Sequence, residues 1–359
     1  MVTGHAYPWD VLGDPGFTDR ATPVVTLAAS YHSVRAATPL HPDRRIVDAR
    51  YAALYRPVRD HVWADLRPLS PDWMAEPDPF AAAAARLRAA GRRVNAWIVL
   101  THNSRLGRRR PDVTVVNCFG ERYPYALCPA HPEVRDYAAT LAAEAVLDVP
   151  VDGISLEACG QLGVTHLGHH EKTDGAWPAR TATLLSICCC NACRRGWPLP
   201  AAEVIGRLRE AVRQDSAPPH DLLAALLAVR HANTDALRRQ VLDALPPGVP
   251  VTLHAHPDPW ATGASPGLTK AAAAGDVDAL LVPAWPVTDA SAATVRSAAA
   301  TGLPIDAYVT VLAPTDPDAL VPHVHRLKAA GAARFSLYHL GLAPGGRQEL
   351  FARVAAAID

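Results

Sequence analysis

Four times along this chain a polar capping residue opens an alanine-rich helix that stops at a glycine, and a short apolar run follows. The openings are Asp78-Pro79, Ser265-Pro266, Thr288-Asp289 and Thr315-Asp316-Pro317, and the stops are Gly91, Gly275, Gly302 and Gly331. Asp, Ser and Thr satisfy the free N–H groups of a first helical turn, Pro is preorganised there, and Gly ends a helix without strain. The apolar runs behind the stops are Val94–Leu100, Ala279–Pro283, Ile305–Leu312 and Arg334–Tyr338. Short apolar strands alternating with helices predict parallel βαβ units.

Completing the count predicts strands at Val24–Ser30, Ala52–Val58, Val94–Leu100, Gly153–Leu156, Val251–Ala255, Ala279–Pro283, Ile305–Leu312 and Phe335–Tyr338. Eight is the number a closed (β/α)8 TIM barrel needs. An open doubly wound sheet is the rival, but no glycine-rich phosphate loop follows the first run. We expect one α/β domain over 1–359, with an irregular first crossover at 31–50. The stretch 158–250 is expected to hold a loop insertion and two helices, near 200–214 and 219–246.

Charge and composition remove several function classes. The 35 basic residues balance 35 acidic ones, which argues against a nucleic-acid binder, since binding phosphates takes a basic surface. Arg108-Arg109-Arg110 is the one compact basic cluster and is read as a solvated loop. No apolar run reaches membrane-spanning length, and the first residues carry no basic start followed by an apolar stretch. These features predict a cytoplasmic protein with reduced thiols, and they leave a homo-oligomer open.

In a barrel, chemistry collects where the strands end at their carboxyl side. Those positions here are Tyr31-His32, His102-Asn103 with Arg105 beyond, Glu157, His254-Ala255-His256-Pro257-Asp258, Trp285 and Tyr338-His339. Imidazoles, an amide and a carboxylate around aromatic rings suit a small carbohydrate or glycoside: polar groups bond its hydroxyls and ring faces stack on the sugar. Glu157 follows the very apolar Val-Asp-Gly-Ile-Ser-Leu. Apolar surroundings disfavour a carboxylate, which is what a general acid near neutral pH needs. The bland alternative is a structural carboxylate orienting Lys172 or an arginine.

Cys188, Cys189, Cys190 and Cys193 form a C-C-C-x2-C knot. Thiolates at C-x-C-x2-C spacing can wrap one tetrahedral Zn2+, so Cys188, Cys190 and Cys193 are the candidate ligands. Cys128 is the best fourth ligand because it precedes the helix leading to the Glu157 strand; Cys118 and Cys159 are weaker. Four thiolates close the shell, which makes the expected zinc structural, pinning the loop after Glu157.

Leu127-Cys128-Pro129-Ala130-His131-Pro132-Glu133-Val134-Arg135, then Glu157, then Cys188-x-Cys190-x2-Cys193 resembles the zinc-containing family 42 β-galactosidases, in which a Cys-Pro segment, a strand-4 acid/base glutamate and a C-x-C-x2-C loop occur in that order. Nearly the full length also resembles uncharacterised actinobacterial barrel proteins of glycoside-hydrolase-like type. Tyr31-His32-Ser33-Val34-Arg35-Ala36, His102-Asn103-Ser104-Arg105-Leu106-Gly107 and His169-His170-Glu171-Lys172 carry that likeness. The resemblance implies a glycosidase with Glu157 as acid/base. The chain departs from the family 42 pattern in two ways. Leu156 stands where the family places Asn before the glutamate. The Ile305–Leu312 strand offers only Asp306, near its start, where the family has a nucleophilic Glu. A two-carboxylate glycosidase needs a partner for Glu157, and Asp258, Asp289, Asp316 and Glu171 are the candidates.

Two other readings stay open. His166-x2-His169-His170-Glu171 could hold a catalytic divalent metal with His102 or His254, as in a metal-dependent hydrolase or lyase. The same segment, with His169, His170 and Glu171 bonding sugar hydroxyls, would fit a loop folded over the pocket. A barrel that binds carbohydrate without catalysis is the third reading.

Overall fold

A computed structural model describes residues 1–166 and 171–358. The eight barrel strands are β1 (Val2–Ala6), β2 (Val24–Tyr31), β3 (Arg93–Val99), β4 (Gly153–Glu157), β5 (Val251–His254), β6 (Ala279–Pro283), β7 (Ile305–Thr310) and β8 (Ala332–Tyr338). Each pairs in parallel with its sequence neighbours, and β1 joins β2 through Thr3↔Val24 and β8 through Val2↔Phe335. The sheet therefore closes on itself as a (β/α)8 barrel.

The predicted strand set needs two corrections. Val2–Ala6 supplies β1, which the sequence reading passed over. Ala52–Val58 is not a barrel strand: only Ala53–Leu54 is extended, lying antiparallel against Ser30 and Tyr31 at the rim. A pentapeptide holding Thr3, Gly4 and His5 carries little strand signal. Gly4 is nevertheless required, since a Cβ there would sit 2.5 Å from the Leu340 side chain. Because one strand is gained before the lost one, Glu157 still ends the fourth strand.

The helical punctuation holds at three of the four sites. Asp78 accepts the Ala81 N–H and caps Pro79–Ala89, while Asp289–Ala299 and Pro317–Ala329 begin at the predicted caps. Gly91, Gly302 and Gly331 all have positive φ, the left-handed conformation that glycine adopts without strain. The helix expected at Ser265-Pro266 is shorter than predicted. It spans only Lys270–Ala273, capped by Thr269, whose hydroxyl accepts the Ala272 N–H. The irregular crossover contains an antiparallel ribbon, Val34–Ala37 with Ile46–Ala49.

The insertion after β4 contributes Ala201–Gln214 and His220–Ala244. The second of these helices packs along Pro132–Val146. Arg238 fixes it to the barrel: this side chain is 1% exposed, grips Asp276 at 2.7 Å and bonds Asp235 at 2.7 Å. No described helix is long and apolar enough to cross a membrane.

Candidate active site and thiol cluster

Strand alternation sends every second side chain into the barrel, and here those inward positions are polar in layers. At the amino end of β7, Asp306 accepts a hydrogen bond from Ser336 on β8 (2.9 Å), and burial pushes its carboxyl up to about 7. It belongs to the floor of the barrel, as its place near the strand start predicts. Above it His5 of β1 packs edge-on against Trp97 of β3 at 4.8 Å and tilted against Tyr308 of β7 at 4.7 Å. His254 Nε2 shares a hydrogen bond with Ser155 Oγ at 2.9 Å.

Glu157 tops this stack. Its Oε2 accepts the indole N–H of Trp97 at 2.8 Å and lies 3.8 Å from His254 Nδ1. The side chain is 7% exposed. Burial pushes the carboxyl up to about 7, against the opposing pull of the Trp97 hydrogen bond. His254 cannot offset it with charge, because burial holds that imidazole down at about 3. Burial raises the pKa of the Tyr31, Tyr308 and Tyr338 phenols, and the nearby Glu157 charge raises each further. A neutral carboxylic acid ringed by neutral phenols and imidazoles can donate a proton near pH 7.

Several buried polar atoms here have no partner in the protein: both ring nitrogens of His5, Nδ1 of His254 and both ring nitrogens of His339. Buried donors and acceptors left unpaired are costly unless a ligand or water meets them. His339 also packs tilted against Tyr7 at 4.3 Å and approaches Asp10 Oδ2 at 3.8 Å. Burial pushes Asp10 up to about 8, opposed by the Tyr7 N–H that its carboxylate accepts at 2.8 Å.

At the rim, Trp285 is 40% exposed and lies against Tyr338 at 4.8 Å. On the opposite side Tyr31, His32 and His102 stack in series at 4.2 and 4.4 Å. His102 Nε2 meets His166 Nε2 at 2.9 Å, and His166 Nδ1 faces Glu171 at 3.5 Å.

The remaining predicted residues have other surroundings. Asn103 is a helix cap: its Oδ1 accepts the Leu106 N–H and its Nδ2 donates to Tyr137. His256 Nδ1 accepts the Asp258 N–H, and the exposed Asp258 turns back to accept the Trp260 N–H. Asp289 and Asp316 are exposed at helix starts. Arg105 lines a separate cavity with Trp63 and Arg109. His169 and His170 lie outside the described residues.

Sequence reasoning missed His5, Tyr7, Asp10, Trp97 and Tyr308. His5 lies on the unrecognised β1, and Tyr7 and Asp10 cap and open the short helix Pro8–Gly13 that follows it. Trp97 and Tyr308 lie inside strands, where an aromatic reads as core. Strand alternation was the one available signal: Trp97 and Val99 share the face that adjoins Glu157, and Tyr308 shares a face with Asp306.

The thiols form a second constellation. Cys128 Sγ lies 3.6 Å from Cys193, 3.7 Å from Cys188 and 3.8 Å from Cys190. A tetrahedron of metal–sulfur bonds near 2.3 Å has edges of about 3.8 Å, so the spacing and the all-thiol donor set fit a tetrahedral thiophilic ion. Cys193 N–H donates to Cys190 Sγ at 3.5 Å, and hydrogen bonds from its three thiol neighbours hold Cys190 well toward the thiolate. Cys118 and Cys189 pack in a separate apolar cluster, and Cys159 in the main core. Among the described residues, no other group of three or more potential ligands is placed to share an ion. The buried Arg230 bonds Ser186 O at 2.9 Å and Trp260 O at 3.0 Å, tying the cysteine loop to the loop after β5.

No family model matches the chain. No curated protein matches it either. Solved structures do match its fold. The catalytic domain of β-amylase from Paenibacillus polymyxa is 14% identical with a TM-score of 0.59, covering 99% of this chain and 98% of its own. α-L-Fucosidase isoenzyme 2 from Paenibacillus thiaminolyticus is 15% identical with a TM-score of 0.58, over 99% of this chain and 49% of its own. β-Galactosidase from the psychrophilic Marinomonas ef1 is 12% identical with a TM-score of 0.56, over 99% and 59%. The chain thus spans about half the length of the fucosidase and somewhat more of the galactosidase, and what these proteins share with it is the barrel.

Proposed function

We propose that this barrel is a glycosidase acting on a small glycoside, with Glu157 as its general acid/base. The observation that carries the reading is a buried carboxyl at the end of the fourth strand, shifted to about 7 and surrounded by phenols and unpaired imidazoles. Glu157 gives its proton to the glycosidic oxygen as the bond breaks, then takes one from the water that completes hydrolysis. Trp97 holds the carboxyl in place and steadies the carboxylate left behind. The unpaired nitrogens of His5, His254 and His339 supply hydrogen bonds to sugar hydroxyls, and Trp285 with Tyr338 supplies a stacking face at the rim.

None of the proposed partner carboxylates stands out as a nucleophile. Asp258, Asp289 and Asp316 are exposed in turn or helix-start positions, and Glu171 engages His166. Participation by a group of the substrate itself fits this arrangement. The glycoside hydrolases among the structural neighbours support the reading at the level of the fold. Zn2+ bound by Cys128, Cys188, Cys190 and Cys193 would be structural, since four protein ligands leave no open position. The test is a panel of glycosides with poor, alcohol-like leaving groups given to the wild type and to Glu157→Gln. Turnover that the substitution lowers about 10²–10⁴-fold, with affinity retained, supports the assignment. Turnover that survives it removes Glu157 from the mechanism.

A further inference from the structure

On the same end of the barrel as Glu157, the segment after β2 and the helix after β3 border a half-open surface cavity of about 250 Å3. Trp63 walls it, and Arg67, Arg105 and Arg109 line it together with Asp60 and Asp65. Arg105 and Arg109 are four residues apart on Ser104–Arg109, so they stand one turn apart on one helix face. Burial lowers the Arg105 pKa, and the positive charges of Arg109 and Arg67 lower it further. Three guanidiniums therefore crowd one space.

The carboxylates nearby are already engaged. Asp60 pairs with Arg67 at 2.8 Å, and Asp65 pairs with Arg110 at 3.3 Å. Arg110 takes Asp112 as well, at 2.7 Å. Among the described residues, Arg105 and Arg109 make no ion pair and no side-chain hydrogen bond. The indole N–H of Trp63 is also shielded from solvent without an acceptor. Like charges one turn apart repel, and a guanidinium fork is shaped to take two oxygens of one oxyanion.

We propose that this cavity is a binding subsite for an oxyanion carried by a saccharide: a carboxylate, sulfate or phosphate substituent. The proposal rests on the reading of the barrel mouth as a saccharide site and narrows it to acidic saccharides. The place in the chain supports the link, because Arg105 is three residues beyond His102, which stacks on His32 at the rim. The volume lies below the roughly 300–1,000 Å3 of pockets that enclose drug-sized ligands. One charged sugar unit or substituent fits, and an oligosaccharide does not.

The test measures binding apart from turnover. Sulfate, phosphate, glucuronate and neutral glucose are titrated calorimetrically at fixed ionic strength against the wild type, Arg105→Gln/Arg109→Gln and Arg108→Gln. Arg108 is exposed and does not line the cavity, so its variant controls for lost charge. The expected result is saturable binding of at least one oxyanion, weakened about tenfold or more in the double variant and by less than about twofold in Arg108→Gln; which anion binds most tightly identifies the substituent. Absence of binding beyond that of chloride, or equal weakening in both variants, overturns the proposal. Oxyanion binding without turnover of any aryl glycoside, acidic or neutral, overturns the glycosidase reading alone. Turnover of neutral glycosides without oxyanion binding overturns the subsite alone.

Discussion

The indole N–H of Trp97 donates to Glu157 Oε2 at 2.8 Å from the neighbouring strand of the barrel wall. A donor to a carboxylate stabilises its ionised form, so this bond restrains a pKa that burial drives upward. Trp97→Phe removes the donor and keeps a ring. The alkaline limb of kcat/KM, set by loss of the Glu157 proton near pH 7, should then move to higher pH by about one unit, the equivalent of a charge-assisted hydrogen bond. A pH–rate profile checks this; an unchanged limb would separate the limb from Glu157.

Stability should pass through a maximum in mildly acidic solution. His5, His254 and His339 have their pKa values lowered by burial, to about 3 for the latter two. The unfolded chain takes up these protons first, so stability falls as pH drops below about 6.5. Asp10 and Glu157 act on the other side. Their folded pKa values, about 8 and about 7, exceed the unfolded ones, so the folded state binds more protons and stability falls as pH rises from about 4 to 8. Asp10→Asn keeps an acceptor for the Tyr7 N–H and removes one ionisation. Scanning calorimetry should show its Tm rising relative to the wild type between pH 5 and 8.

The four-thiol site predicts one bound metal per chain. Cys193→Ser should lose it and lower Tm by about 10 °C, since a structural metal contributes its binding energy to folding. Cys159→Ser, remote from the cluster, should retain it. Elemental analysis gives the stoichiometry, and X-ray absorption should show four sulfur neighbours near 2.3 Å if the ion is Zn2+.

Arg238→Ala should destabilise by about 1.5–3 kcal/mol without altering substrate affinity. It strips a buried guanidinium from Asp276 and Asp235 where the long insertion helix meets the barrel. Urea denaturation of the purified variant measures the loss.

Much of this architecture is legible in the residues because the punctuation is local. Asp78, Asp316, Gly91, Gly302 and Gly331 each encode a cap or a stop by their own chemistry. The thiol site is legible for a related reason, since three of its four ligands lie within six residues of one another. The Val2–Ala6 strand is not, because its stability comes from lying between β2 and β8 rather than from its own composition. The mouth of the barrel divides along the same line. Glu157 stands out as a carboxyl after an apolar strand. Trp97, Tyr308 and His5 become polar partners only when closure of the barrel turns their strand faces inward.

The most direct test of Glu157 as general acid compares leaving groups. Glu157→Gln is assayed on one sugar bearing either a dinitrophenolate or a poor, alcohol-like leaving group. The account predicts loss of about 10²–10⁴-fold on the poor leaving group and a much smaller loss on the activated one, which departs without a proton. Equal losses on both, or no loss on either, would contradict it.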